Sequence, residues 1–239
     1  RAVQQKATSS LLRGYHQPLT TILTRALETP FGGTFGDVCF ADIKPIDRLA
    51  EMDFEMTVAL SSANILTSDI GRVLLSLLSP TDALRDYATL LTDSSFDIQV
   101  AGLINGSLDA LLRLPGSTPT QPLLAITDYK SNKLHRDTDA SPIAKYSPVN
   151  VQAKMQEAHY ILQALIYGTS IYRMLRWRLP EANHDACIKG IAYGFIRGMV
   201  GPDTPTDENG HRYGVFTWQA PPGLWRALSD LFAGKKPAQ

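Results

Sequence analysis

The chain has only two cysteines, Cys39 and Cys187, with no Cys-x-x-Cys pair and no histidine beside them at zinc-ligand spacing. Two isolated thiols in 239 residues fit a reducing, cytoplasmic setting better than a secreted disulfide scaffold. No run of eighteen or so apolar residues occurs, so no membrane-spanning helix is expected, and the opening residues show no signal-peptide pattern. Neither charge sign is in excess, with 23 basic against 23 acidic side chains and a pI near 7.1. That balance argues against a module that grips nucleic acid by bulk positive charge, while leaving open a nuclease whose basic groups are local. A Gly-x-x-x-x-Gly-Lys-Ser/Thr loop is also missing, and Gly234-Lys235-Lys236 lacks everything else such a loop needs. A motor that cradles nucleotide phosphates is therefore not encoded here. Internal repeats and low-complexity tracts are absent too.

What is present is enough to build a core. At 44% hydrophobic and 19% charged, the chain is no disordered tail, and its length suits one large or two small folding units. Apolar residues from Leu11 to Leu27 recur at helical spacing, and Pro18 is expected to divide them into two helices, the second ending near Pro30. Phe31 to Gly36 reads as a loop. Glu51 to Ala59 reads as a strand with Met52, Phe54, Met56 and Val58 on one face and Glu51, Asp53 and Glu55 on the other. Helices are expected over Ser68–Leu78 and Pro80–Leu91, the second capped by Ser79. Strands follow at Phe96–Ile104, Ser107–Leu114 and Leu123–Lys130, the last two joined by the turn cluster from Pro115 to Pro122. After a polar loop, one long helix is expected from Val151 to Arg178. Strands at Cys187–Ile196 and Tyr213–Trp218 and a closing helix at Pro222–Phe232 complete an interleaved α/β pattern.

One pair of residues carries chemistry. Asp109 and Asp128 lie equally far from the centre of the turn cluster, so a hairpin without a bulge sets them opposite one another. Directly opposed side chains stand roughly 5 Å apart at Cβ, where two carboxylates repel unless a cation or a shared proton lies between them. Strand alternation puts Lys130 on the face of Asp128 and turns Tyr129 away. An acid pair with an adjacent lysine suits Mg²⁺-assisted phosphodiester hydrolysis, since Mg²⁺ takes one or two carboxylates and keeps several waters. A lone Asp-x-Lys is usually a weak surface ion pair. The mirrored second aspartate inside an apolar run reverses that preference.

The segments Gly102–Asp109, Ile126–Leu134 and Tyr160–Tyr167 resemble the three successive motifs of RecB-type nuclease domains, which belong to the PD-(D/E)XK nuclease superfamily. The similarity extends to Arg48–Phe54 upstream and Gly190–Gly198 downstream, and so covers most of the chain in the expected order. It implies an α/β, restriction-endonuclease-like core, a central mixed β-sheet flanked by helices, in a single domain over residues 1–239. It implies that Asp109, Asp128 and the backbone carbonyl of Tyr129 hold one or two Mg²⁺ ions, with Mn²⁺ as a possible substitute. Lys130 is then the catalytic lysine, and Glu51 matches an acid that assists the metal, with Asp53 the neighbouring candidate. Gln163 and Tyr167, four apart on one helix face, match the pair that positions substrate and active-site groups. The family's histidine, on a helix well before the glutamate strand, has no match here. His16 sits in a later segment of the pattern, so the equivalent is expected before Arg1. Surface or satisfied-core roles are expected for His135, His159, His184 and His211.

The expected function is exodeoxyribonuclease V-type: Mg²⁺-dependent hydrolysis of a DNA strand delivered by a helicase, in double-strand-break repair. The implied partners are RecC- and RecD-like subunits and RecA, with no membrane. Lys130, Lys133, His135, Arg136, Lys145 and Lys154 form a local basic strip suited to a phosphate backbone. Two alternatives remain. One is a catalytically weak or inactive RecA-interaction module, and the other, disfavoured by the extent of the match, is a stand-alone nuclease of the same superfamily.

Overall fold

The computed structural model describes residues 15–58 and 64–235. In chain order the helices are α1 (His16–Glu28), α2 (Thr67–Leu77), α3 (Arg85–Leu91), α4 (Pro148–Glu157), α5 (Tyr160–Arg178), α6 (His184–Cys187) and α7 (Leu224–Phe232). The strands are β1 (Arg48–Val58), β2 (Gly102–Arg113), β3 (Leu124–Lys130), β4 (Ile188–Phe195) and β5 (Val215–Trp218). They form one mixed five-stranded sheet in the order β1-β2-β3-β4-β5, with helices flanking it. Among the described residues, no helix is long and apolar enough to cross a membrane. Two compact units are distinguished, and the division falls inside β3, after Asp128.

The larger unit comprises Pro45–Asp128, Lys154–Ala192 and Trp218–Gln239. Its β1 alternates as expected, with Met56 and Val58 buried and Asp53 and Glu55 exposed. The strand starts three residues earlier than its apolar pattern, because Arg48, Leu49 and Ala50 still pair with β2. In β2 the sequence suggested two strands separated at Asn105-Gly106, but the structure has one. Gly106 stays in the ladder because the Phe54 ring of β1 lies over it; a Cβ there would come within 2.9 Å of a ring carbon. The residues just before β2 are tied down by an isolated bridge between Leu66 and Gln99 instead of joining that strand. The hairpin turn is closed by Ser117, whose Oγ donates to the Leu114 carbonyl at 2.7 Å and accepts from the Leu123 amide at 2.9 Å.

Helix α3 begins at Arg85 rather than Pro80. Asp82 offers its carboxylate to the Leu84 amide at 2.8 Å, making a local turn that competes with a helix start. The same carboxylate accepts from Trp218 Nε1 at 3.1 Å, which fixes the turn in place. Gly71 lets α2 and α3 approach closely, since a Cβ there would lie 2.8 Å from the Ala88 carbonyl. Gly168 does the same for α5 and α7: the six-membered ring of Trp225 fills the space its missing Cβ leaves.

The expected helix from Val151 to Arg178 is broken into α4 and α5. At the junction His159 adopts φ 53° and ψ 27°, a left-handed conformation that costs a non-glycine residue about 1–2 kcal/mol. Tyr87 compensates it. Its buried hydroxyl lies 2.9 Å from His159 Nδ1 and is also hydrogen-bonded by the Leu162 amide, in the first turn of α5. The hydroxyl thus caps the new helix from a different element. Periodicity could not show this break, because the apolar spacing runs through it undisturbed.

The smaller unit comprises Arg1–Lys44, Tyr129–Ala153 and Tyr193–Thr217. Helix α1 starts at His16, so Pro18 lies in its first turn, where a missing N–H costs nothing. It therefore does not divide the helix; the part of the pattern before residue 15 lies outside the described residues. Phe31 meets Phe40 edge-on with centroids 4.8 Å apart, and Phe40 lies against Tyr129 at 4.7 Å. Buried Thr29 accepts from the Gly201 amide at 2.9 Å and sits 3.4 Å from Thr204 Oγ1. The Tyr146 carbonyl accepts from the Gly214 amide at 2.7 Å, and Gly198 leaves no room for a Cβ between Tyr146 and Gly214.

Candidate functional site

Antiparallel pairing between β2 and β3 runs from Arg113↔Leu124 to Ala110↔Thr127. One further step along that register sets Asp109 against Asp128, as the turn-centred reading of the sequence expects. Beyond this point β2 pairs only with β1, and the two strands of the hairpin part. The acids therefore stand at the fork. Asp109 is half-buried, while Asp128 is 3% exposed. A carboxylate so deeply placed needs compensating charge or hydrogen bonds.

The β1–β2 register adds a third acid to the row. Ala50 pairs with Ala110 and Met52 with Leu108, so Glu51 occupies the position opposite Asp109. The Glu51–Asp109 step is the one position missing from an otherwise continuous ladder, and Glu51 has φ 51°. A left-handed glutamate inside a strand is strained, and it sits where the neighbouring strand presents Asp109. Asp53, two residues on, is exposed in regular strand opposite Ser107. Among the described residues, no group of three or more His, Cys, Asp or Glu side chains is arranged to hold a metal ion. The row is thus an acid pair with a third acid beside it in register, not a closed ligand cage.

Tyr167 of α5 reaches β2 two residues before Asp109. Its hydroxyl donates to the Ser107 carbonyl of β2 at 2.8 Å and accepts from Gln163 Nε2 at 2.9 Å. Burial, and after it the carboxylates of Asp128 and Asp109, push its pKa up to about 12. Tyr167 is therefore a neutral phenol near pH 7 that braces β2 beside the acids, and it does not act as a base. The expected Gln163–Tyr167 pairing along one helix face is present as a direct hydrogen bond.

In the smaller unit, Tyr129 is partly exposed against Phe40, and the Lys130 ammonium lies over the Tyr193 ring, 5.2 Å from its centroid. Tyr193 is fully buried, so the lysine rests on a fixed aromatic face. No role for Tyr193 follows from the sequence, although it lies in the Gly190–Gly198 segment. Only three-dimensional packing reveals what lies under the lysine. The basic strip is less free than its sequence suggests. Lys133 is paired with Asp137 at 2.5 Å, and His135 Nδ1 lies 3.1 Å from the Tyr146 hydroxyl. Both cysteines are buried free thiols whose pKa values burial raises, so neither is a ready nucleophile. His159 and His184 are engaged by Tyr87 and the Leu179 carbonyl, and His211 by Asp207.

An acid pair at the fork of an α/β sheet flanked by helices is consistent with a restriction-endonuclease-like core. The chain's homologues are RecB subunits. It is 36% identical over 226 residues to RecBCD enzyme subunit RecB of Mycobacterium tuberculosis strain H37Rv, covering 90% of this chain and 20% of that protein. It is 33% identical over 224 residues to RecBCD enzyme subunit RecB of Mycolicibacterium smegmatis, covering 92% and 20%. To the Escherichia coli K12 subunit of the same name it is 26% identical over 216 residues, covering 90% and 16%. The chain thus spans about a fifth or less of the length of the curated relatives it matches. No protein-family model matches the chain.

Proposed function

We propose that this chain is the nuclease domain of a RecBCD-type helicase–nuclease and hydrolyses phosphodiester bonds in DNA with Mg²⁺. The observation that carries this reading is the register that sets Asp109 against Asp128 at the fork, in a chain homologous to RecB along most of its length. The donor set fits a hard divalent cation: two opposed carboxylates, with the Tyr129 carbonyl next along β3. When bound, Mg²⁺ supplies Lewis-acid neutralisation of phosphate charge and lowers the pKa of an attacking water.

The chain's own residues do the rest. Asp109 and Asp128 hold the cation, and Glu51 or Asp53 adds a carboxylate at the edge of the site. Lys130, on the strand face of Asp128, orients the attacking water and stabilises charge on a non-bridging phosphate oxygen. Tyr167 and Gln163 keep the Asp109 strand in position by their hydrogen-bonded chain to Ser107. The substrate is a single strand delivered by the attached motor, with RecC- and RecD-like subunits and RecA as partners.

The test uses the intact helicase–nuclease. Asp128→Ala is expected to abolish Mg²⁺-dependent digestion while leaving ATP-driven unwinding unchanged. Undiminished digestion overturns the assignment. Calorimetric titration of the isolated chain with Mg²⁺ or Mn²⁺ should show heat that Asp109→Asn and Asp128→Asn each remove.

A further inference from the structure

An open cavity of about 310 Å³ in the larger unit starts where β2 has left β3. Phe54 and Tyr167, edge to face with centroids 5.6 Å apart, form its aromatic side, and Leu162 and Ile166 of α5 line it further. Gly106 keeps it open, because any side chain there would collide with the Phe54 ring. Asn105, Gln163 and His159 bring amide and imidazole groups to the lining. None of the side chains that line it is a Lys, Arg, Asp or Glu.

We propose that this cavity is a nucleobase subsite, which takes a base of the DNA strand next to the bond cut at the acid pair. The inference rests on the nuclease reading and extends it to substrate binding. An uncharged lining with aromatic surfaces suits a flat heterocycle and offers nothing to a phosphate. The volume is at the small end for ligand pockets, enough for one base. Phe54, Ile104 and Gly106 belong to the face of the β1–β2 ladder opposite that of Asp109, so the cavity communicates with the acids past Tyr167 and not along one strand face. Tyr167 joins the two places, since it lines the cavity and braces β2 at Ser107, two residues from Asp109.

His159 is the specific contact. The Tyr87 hydroxyl lies 2.9 Å from His159 Nδ1 and holds that side of the ring, so Nε2 is the imidazole atom left to meet a ligand. An imidazole nitrogen donates to or accepts from a base edge according to its tautomer. The left-handed backbone at His159 acquires a purpose on this reading: it ends α4 and turns the imidazole out beside the cavity.

The test measures binding of the chain to a short single-stranded oligonucleotide in which one base at a time is replaced by an abasic sugar. Ca²⁺ replaces Mg²⁺ so that the strand stays uncut. Loss of one particular base should weaken binding about tenfold, with little effect at the other positions. Phe54→Ala and His159→Asn should each weaken the intact strand and shrink that positional penalty. Asparagine tolerates the left-handed backbone, so the second variant is expected to fold even if the first does not. If the chain binds the strand but no single base matters, or the penalty persists undiminished in His159→Asn, the subsite is overturned and the nuclease reading stands. A cavity that serves an apolar side chain of a protein partner gives the same negative result. A chain that binds neither the strand nor a divalent cation overturns both.

Discussion

Asp109 and Asp128 occupy opposed positions one step past the last paired residues of the β2–β3 hairpin. The ladder between β2 and β3 ends at Ala110 and Thr127, so neither acid belongs to a pair within it. Beside them, the Tyr167 hydroxyl is already satisfied by Ser107 and Gln163.

Tyr167 should report on that pair. Burial is the largest cause of its rise to about 12, and the two carboxylates add to it. Asp109→Asn or Asp128→Asn is therefore expected to lower the Tyr167 pKa, and the double variant to lower it further. Burial remains, so it should stay above the ordinary 10.0. Mg²⁺ bound between the acids should act in the same direction. Alkaline absorbance titration, with Tyr167→Phe as the subtraction, measures this; a Tyr167 curve indifferent to both acids would show that they lie beyond its reach.

Alkali should loosen the start of α5. Burial pushes Tyr87 up to about 12 from 10.0, so its neutral form is favoured in the folded state. The stability tied to this is fully present below pH 10 and is lost as pH rises through about 12, amounting to roughly 3 kcal/mol. Tyr87→Phe is expected to cost about 1 kcal/mol near pH 7 through the lost cap and to flatten the decline above pH 10. Urea unfolding across pH tests it, and an equally steep decline in the variant would place the alkaline loss elsewhere.

The hairpin register was legible because antiparallel geometry is arithmetic. A turn centre and a period of two bring Ala110 against Thr127 and carry Asp109 and Asp128 to the next step, and this depends on no remote contact. The strand faces of β1 followed from the same period. What stayed hidden depends on residues distant in sequence. Tyr87 breaks the long helix at His159, Phe54 keeps Gly106 inside a strand, and Asp82 delays α3 by offering its carboxylate to Leu84. The Lys130–Tyr193 contact is of the same kind. The left-handed backbone at Glu51 left no mark in the sequence at all, since glutamate is not a residue that advertises it.

Glu51 and Asp53 should separate by stability as well as by activity. Glu51→Gly relieves a left-handed conformation and is expected to leave stability unchanged or to raise it by up to about 1 kcal/mol. Asp53→Gly, in regular strand, should cost about 0.5–1 kcal/mol. Urea denaturation compares them, and a clear destabilisation by Glu51→Gly would contradict the strain. If Glu51 serves the metal, Glu51→Gln lowers Mg²⁺-dependent cleavage more than Asp53→Asn does; the reverse order assigns the role to Asp53.

Gly168→Ala should be costly, since its new methyl group collides with the six-membered ring of Trp225. About 1–3 kcal/mol of destabilisation is expected. Trp225→Leu, which removes that ring, should by itself be destabilising but should reduce the additional cost of the alanine. Thermal or urea unfolding of the four proteins in this cycle measures the coupling, and simple additivity would refute it.

The same notch has a consequence for the order in which the protein is made. α5 leaves the ribosome with an open groove at Gly168, and the ring that fills it belongs to α7, which is made only after β4 and β5. The larger unit thus cannot finish its core when α5 emerges. Until Trp225 arrives, the helix carrying Gln163 and Tyr167 lacks its support on that face, so β2 is fully braced only once α7 has been made.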